Sequence, residues 1–212
     1  MEKQIIPAVI AQDQDELMAI LDKIGNHARL IQLDVMDGRF VPNRSLDFDF
    51  NIPAGKYIYE AHLMIQDPLT WLDQSGDMMQ TIIAHFEVLD EPGNFIEAAK
   101  KKGKKAGLAI NPETGLDSIL PYLKDLDQVL IMTVHPGAYG SRFLSEMLVK
   151  IRTLRAKAPG LDIEVDGGIS PDTIWFVCEA GANMFVSGSY LIKADNLGKN
   201  VEILWKSLRD EL

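Results

Sequence analysis

Short apolar runs alternate with amphipathic stretches along the whole chain. Eight runs have strand length and are rich in Ile, Val and Leu: QIIPAVIA (4–11), RLIQLDV (29–35), YIYEAHLMI (57–65), QTIIAHFE (80–87), KAGLAIN (105–111), QVLIMTV (128–134), DIEVDGG (162–168) and MFVSGS (184–189). Near-continuous apolarity is what parallel strands covered on both faces require. The segments between them read as helices. In 13–24 the apolar positions are Leu17, Met18, Ile20, Leu21 and Ile24, and in 141–158 Leu144, Leu148, Ile151 and Leu154 recur at spacings of three and four. Segment 171–181 follows Ser170 with Pro171, an N-cap and first-turn pair, and stops at Gly181. The final stretch, 201–212, is amphipathic and is expected to close the ring. The longest irregular stretch is 38–55, and a loop of that length in a compact domain is often functional.

Eight strands alternating with helices fit either a closed barrel or an open doubly wound sheet. No GxGxxG follows the first run, so the dinucleotide-binding sheet lacks its main local mark. The length, 212 residues, sits near the lower end for barrels and leaves little room for a second unit. We therefore expect an α/β fold, a single (β/α)8 TIM barrel domain over residues 1–212.

Composition narrows the partners. Lys and Arg number 21 against 31 Asp and Glu, a net charge of −10, which argues against non-specific nucleic-acid binding. A small anionic substrate stays open, because a site can be locally positive in an acidic protein. No apolar run approaches the roughly 20 residues that span a bilayer, and the start has no signal-peptide pattern. A cytoplasmic location without membrane partners is expected. The single cysteine, Cys178, excludes an intramolecular disulfide and reads as a buried packing residue in WFVCEAGA.

In a barrel, chemistry sits at the C-terminal ends of the strands. Polar residues collect there: Gln32, Asp34 and Asp37; Glu60 and His62; His85 and Glu87; His135; and Asp166. Gln32 and Asp34 are two apart and share a strand face, as do Glu60 and His62. Two carboxylates on separate strands, Asp34 and Asp166, can face each other across a substrate. One removes a proton beside a carbonyl and the other supplies one to the opposite face. The enediolate between these steps needs a metal or hydrogen-bond donors. Gly137, Gly140, Gly167, Gly168, Gly188 and Ser189 follow the last three strands, where barrel enzymes recurrently bind phosphate.

Five segments carry a family resemblance: LDVMDGRFVPN (33–43), HLMI (62–65), MTVHPGAYGSRF (132–143), IEVDGGIS (163–170) and AGANMFVSGS (180–189). In this order they resemble the motifs of the ribulose-phosphate 3-epimerase family, a ribulose-phosphate-binding barrel. The resemblance implies interconversion of ribulose 5-phosphate and xylulose 5-phosphate, or epimerisation of a related sugar phosphate, at C3. It implies a divalent metal (Zn, Mn, Fe or Mg) on Asp34, His62 and Asp166, with the two aspartates exchanging the proton. It places Met36, Met64 and Met132 at the mouth. Substrate and phosphate contacts fall on His62, Gly137, Gly140, Ser141, Gly167, Gly168, Gly188 and Ser189. It also implies a homo-oligomer.

The chain departs from the family where a histidine ligand is usual, at Gln32, and where a substrate-site serine is usual, at Ala8. In the loop after the sixth strand, His135, Tyr139 and Ser141 replace an asparagine, a glycine and a glutamine. An amide oxygen is a harder and weaker ligand than imidazole, so weak or absent metal is expected, although three protein ligands suffice for catalytic zinc. The alternative function is a sugar-phosphate-binding member that has lost metal-dependent epimerase activity. Decarboxylases on related barrels use D-x-K-x-x-D on the second strand. Here 34–37 reads Asp-Val-Met-Asp without lysine, which argues against that chemistry.

Overall fold

The computed structural model describes residues 1–137 and 141–209. The strands are β1 (Gln4–Val9), β2 (Leu30–Asp37), β3 (Arg44–Ser45), β4 (Ile58–Met64), β5 (Thr81–His85), β6 (Lys105–Ile110), β7 (Gln128–Met132), β8 (Asp162–Asp166) and β9 (Met184–Ser187). The helices are α1 (Gln14–Ile24), α2 (Pro68–Ser75), α3 (Pro92–Lys101), α4 (Met147–Lys157), α5 (Ile174–Ala180), α6 (Ser189–Ile192) and α7 (Leu197–Ser207). Eight strands pair in parallel, and the β1–β2 pairing closes them into a barrel. The two-residue β3 adds antiparallel to β2 outside the ring. This is the (β/α)8 barrel that the alternation of apolar runs predicts.

Strand parity divides the side chains between two cores. One face packs under the helices, where Leu17, Leu21, Phe95, Ile151, Leu154 and Val177 join the main cluster. The other face fills the barrel, with Ile83, Ala109, Leu130 and Met132 in one group and Ile6, Ala8, Met184 and Val186 in another. Parallel register then sets the inward residues side by side. Asp34 pairs with His62, Met36 with Met64, and Met132 with Asp166.

Helix α1 is capped by Asp13, which accepts from the Glu16 N–H at 2.8 Å, and its expected apolar face buries Leu17, Leu21 and Ile24. Helix α5 ends at Gly181, whose φ of 115° suits only glycine well. Four expectations are corrected. The helix expected over 141–158 begins at Met147, because the Leu144 N–H donates to Thr133 O and ties the preceding segment to the end of β7. The helix expected from Pro171 begins at Ile174, since Thr173 Oγ1 accepts from the Ser170 N–H and donates to Gly168 O, holding the chain in a turn. Between β6 and β7 there is no α-helix but two short 3-10 turns, Leu116–Ser118 and Leu120–Tyr122. Pro112, Gly115 and Pro121 interrupt that segment. Cys178, expected to be buried, is half-buried.

Candidate active site

A cleft opens at the C-terminal end of the barrel. Asp34 from β2 and Asp166 from β8 line it, with Met36, Met64 and Met132 as its apolar wall. Gly137, Ser141, Gly167, Gly168, Gly188 and Ser189 line the part reached from the ends of β7, β8 and β9. Eleven residues that the sequence singles out therefore meet in one cavity. Ala8 lies on the same wall, so a methyl group faces the cleft there. Gly140, also expected here, and Tyr139 lie outside the described residues.

His62 is placed differently from the expectation that it lines the cleft. Its ring is fully buried beneath the wall, with Nδ1 3.3 Å from both Asp34 Oδ1 and Asp166 Oδ2. Asp34, His62 and Asp166 each offer one ligand atom, all within 4.8 Å of one another. Gln32 completes the cluster from beneath. Its Nε2 donates to Asp34 Oδ1 at 2.8 Å and to Asp166 Oδ2 at 3.0 Å. Its Oε1 is buried and has no hydrogen-bond partner among the described residues. In this orientation Gln32 acts as a donor and not as the fourth ligand. An amide turned the other way would direct the orphaned oxygen at the cluster, so the donor set accommodates a divalent cation.

Electrostatics follow from this crowding. Burial, reinforced by the charge on Asp166 and opposed by hydrogen bonds to His62 and Gln32, pushes Asp34 up to about 6. Burial alone would lower His62, but its hydrogen bonds to Asp166 and Asp34 and their charges outweigh it and push the imidazole up to about 9. His62 therefore carries the positive charge between the two carboxylates when no cation does.

Two further shells support the cluster. On one side, His62 Nε2 lies 2.9 Å from His85 Nε2, and His85 Nδ1 lies 3.2 Å from Glu87 Oε2. Burial drives His85 down to about 4. Burial acts to raise Glu87, but hydrogen bonds to His85, Thr114 and Asn111 dominate and hold it down to about 2. Beneath the site, Gln128 Nε2 donates to Glu164 Oε2 at 2.8 Å and to Glu60 Oε2 at 3.3 Å, across the barrel. Burial pushes Glu60 up to about 8 and Glu164 well above its ordinary value. Glu60, expected at the mouth, lies instead in this polar floor, and Gln128 and Glu164 were not among the expected site residues. The signal for the floor was present, since Glu60, Gln128 and Glu164 interrupt otherwise apolar runs at inward positions.

The remaining polar candidates hold loops. Asp37 accepts from the N–H groups of Arg39, Phe40 and Gln66, which fixes the turn after β2. His135 is exposed and pairs with Glu113 at 3.1 Å, away from the cleft lining. Thr133 Oγ1 donates to Asp166 O at 2.9 Å and Gly167 O at 2.6 Å, locking the end of β8. Gly167 and Gly168 follow at φ 117° and 66°. A Cβ on Gly167 would overlap the Val134 side chain, and one on Gly168 would lie 2.9 Å from Phe143 Cβ. This close approach requires glycine at both positions.

Comparison with known proteins agrees with the geometry. A sequence profile of the Ribulose-phosphate 3 epimerase family matches residues 3–192. The chain is 38% identical to ribulose-phosphate 3-epimerase of Synechocystis sp. over 226 aligned positions, covering 100% of this chain and 97% of the relative. It is 33% identical to that of Eremothecium gossypii, covering 98% and 94%. Among solved structures it resembles KGPDC from Streptococcus mutans, with TM-score 0.74 at 13% identity over 99% and 98% of the two chains. It also resembles 3-hexulose-6-phosphate synthase from Salmonella typhimurium, with TM-score 0.71 at 17% identity over 97% and 98%. At these identities the structural likenesses establish the fold, while the profile and the sequence relatives establish the family. The chain belongs to the ribulose-phosphate 3-epimerase family.

Proposed function

We propose that the chain epimerises a phosphorylated ketopentose at C3, interconverting ribulose 5-phosphate and xylulose 5-phosphate, with Asp34 and Asp166 as the acid–base pair. The observation that carries this reading is the meeting of both carboxylates, from strands on different sides of the barrel, at one cleft. One carboxylate removes the proton at C3 and the other, protonated, delivers one to the opposite face. Asp34, raised to about 6 by burial, is suited to either role near neutral pH. Met36, Met64 and Met132 exclude water from the reacting carbon. Backbone N–H groups around Gly167, Gly168, Gly188 and Ser189 are the site for the phosphate.

Asp34, His62 and Asp166 would hold a divalent cation (Zn, Mn, Fe or Mg), which when bound polarises the substrate carbonyl and offsets the enediolate charge. Gln32 makes that site weaker than one with a second imidazole. While the amide donates to both aspartates, its two N–H groups and the charged His62 offset part of the negative charge of the pair. The reading of a binder without activity has no observation of its own, since Asp34, His62 and Asp166 are all gathered in place. The likeness to a rice relative described as a cytoplasmic isoform supports a cytoplasmic location. Among the described residues no helix is long and apolar enough to cross a membrane. By family likeness the chain assembles with copies of itself.

Ribulose 5-phosphate incubated with the protein in heavy water, with Zn²⁺, Mn²⁺ or Mg²⁺ supplied in turn, tests the proposal. Deuterium at C3 and formation of xylulose 5-phosphate are expected. Binding of the sugar phosphate without exchange under any of these metals overturns it.

A further inference from the structure

Beyond the two aspartates, the structure contains a buried chain of groups that runs away from the cleft. Glu87 Oε1 accepts from the Asn111 N–H at 2.8 Å and from the Thr114 hydroxyl. Glu87 Oε2 faces His85 Nδ1, and His85 Nε2 faces His62 Nε2. His62 Nδ1 faces Asp34 and Asp166. Both rings are fully buried, with centroids 5.0 Å apart and planes inclined by 24°, so they meet edge to edge through their Nε2 atoms. Phe40 packs against the far side of His85, its ring centroid 4.6 Å away.

We infer that Glu87 and His85 are positioning residues that dictate which nitrogen of His62 carries a proton, and so keep its Nδ1 available to the Asp34–Asp166 cluster. The reasoning is a count of donors and acceptors. A carboxylate only accepts, so His85 Nδ1 donates to Glu87. A neutral imidazole has one N–H, so His85 Nε2 is then an acceptor. The nitrogen that faces it at 2.9 Å must donate, which places a proton on His62 Nε2. His62 Nδ1 is then the nitrogen left to bind a cation as a lone pair, or to hold the two carboxylates through a proton when no cation is present. The opposite arrangement would put an N–H on Nδ1 in its neutral form, and that nitrogen could not bind metal. A partner on the remote nitrogen of a metal-binding histidine fixes tautomer and ring orientation in this way. Here the partner acts through an intervening histidine.

The far end of the chain is anchored. Lys150 Nζ donates to the carbonyls of Asn111, Pro112 and Thr114 at 3.1, 2.9 and 2.7 Å, holding the loop that presents its N–H and hydroxyl to Glu87. The backbone N–H of Asn111 gives Glu87→Gln a definite outcome. Asn111 can only donate, so it selects the amide oxygen of the new side chain. The amide NH₂ then faces His85 Nδ1 and reverses every donor and acceptor along the chain.

The inference rests on His62 belonging to the proposed active site, but its first readout does not require activity. Two-bond ¹H–¹⁵N spectra of the ¹⁵N-histidine-labelled full chain, metal-free, report the protonated nitrogens, with His27 and His135 assigned by substitution. The wild type is expected to show His85 protonated at Nδ1 and His62 bearing a proton on Nε2. Glu87→Gln is expected to move the His85 proton to Nε2 and to reduce Zn²⁺ affinity, by chelator competition, about 10- to 100-fold. Thr114→Val removes one bond to Glu87 but leaves the carboxylate as acceptor, so the wild-type pattern should persist. A wild-type His85 protonated at Nε2, or Glu87→Gln with unchanged tautomers and affinity, overturns the inference. A purely structural role would show as lowered stability in both variants with the wild-type pattern intact, which also overturns it. Failure of the metal reading is seen separately, as absence of Zn²⁺ binding by the wild type.

Discussion

Gln32 Nε2 lies 3.0 Å from Asp166 Oδ2, although 134 positions separate the two residues along the chain. The same nitrogen reaches Asp34. A side chain that stands where the family resemblance implies a histidine thus bridges the two carboxylates proposed to move protons. The carboxamide supplies two N–H donors where a cation would supply charge. That arrangement offsets the cost of the charged pair only in part, since burial, with the Asp166 charge added to it, still pushes Asp34 up to about 6.

Gln32→His should convert the cluster into a four-ligand site. We expect Zn²⁺ affinity to rise at least about tenfold, equivalent to about 1.4 kcal/mol. Competition with a chromophoric chelator measures it. Unchanged or weaker affinity would show that the three existing ligands already define the site.

Asp34→Asn and Asp166→Asn each remove one member of the proton-transferring pair. A fall in kcat of about 10²- to 10⁴-fold is expected for each. Stability should hold or rise for Asp34→Asn, because burial already pushes that carboxyl up to about 6. Steady-state kinetics and urea unfolding together check both halves. Activity that survives either substitution assigns the proton transfer elsewhere.

Stability of the metal-free protein should decline as pH rises from about 5 to 9. Burial raises Glu60 to about 8 and Asp34 to about 6, so the folded state keeps protons that unfolded carboxylates release near their ordinary values of about 4. His62 acts in the same direction. Raised to about 9 by the two aspartates, it contributes stability fully below about 6.5 and loses it as pH climbs through 9. Glu60→Gln removes one titrating group, up to about 1.4 kcal/mol per pH unit of slope. Urea midpoints across this range, with and without the substitution, test the sign. A flat wild-type profile would show that the barrel floor does not titrate there.

Gly167→Ala should damage both stability and phosphate binding. The added Cβ meets Val134, and the residue's φ of 117° disfavours any side chain. A loss of about 1–3 kcal/mol is expected, together with weaker binding of ribulose 5-phosphate by calorimetry. Normal binding would place the phosphate away from this turn.

Much of the fold was legible because its signals are local. The apolar runs located all eight barrel strands, and the spacing of Leu17, Leu21 and Ile24 located α1 with its buried face. The misses are equally physical. Leu144 has helical spacing with Leu148, but its N–H is committed to Thr133 O at the end of β7, so the helix starts later. The 116–122 segment forms 3-10 turns because proline and glycine interrupt it, while Lys150 holds the preceding loop by its carbonyls. Within the site, the aspartates, methionines and glycines could be named from motif and strand end. The placement of His62 beneath the cleft, and not on its wall, could not.

The sequence by itself determined which residues face into the barrel, because strand parity is a short-range property. Gln32 and Asp34, or Glu60 and His62, share a face through a two-residue spacing alone. Only closure of the barrel decided what those residues meet. It brought Gln32 against Asp166, His62 against His85, and Gln128 between Glu60 and Glu164. These contacts join different strands, some across the whole barrel, so no local pattern encodes them. They also decide whether Gln32 presents nitrogen or oxygen, and which nitrogen of His62 faces the aspartates. The chemistry of the pair Asp34 and Asp166 is thus set by neighbours that only tertiary packing supplies.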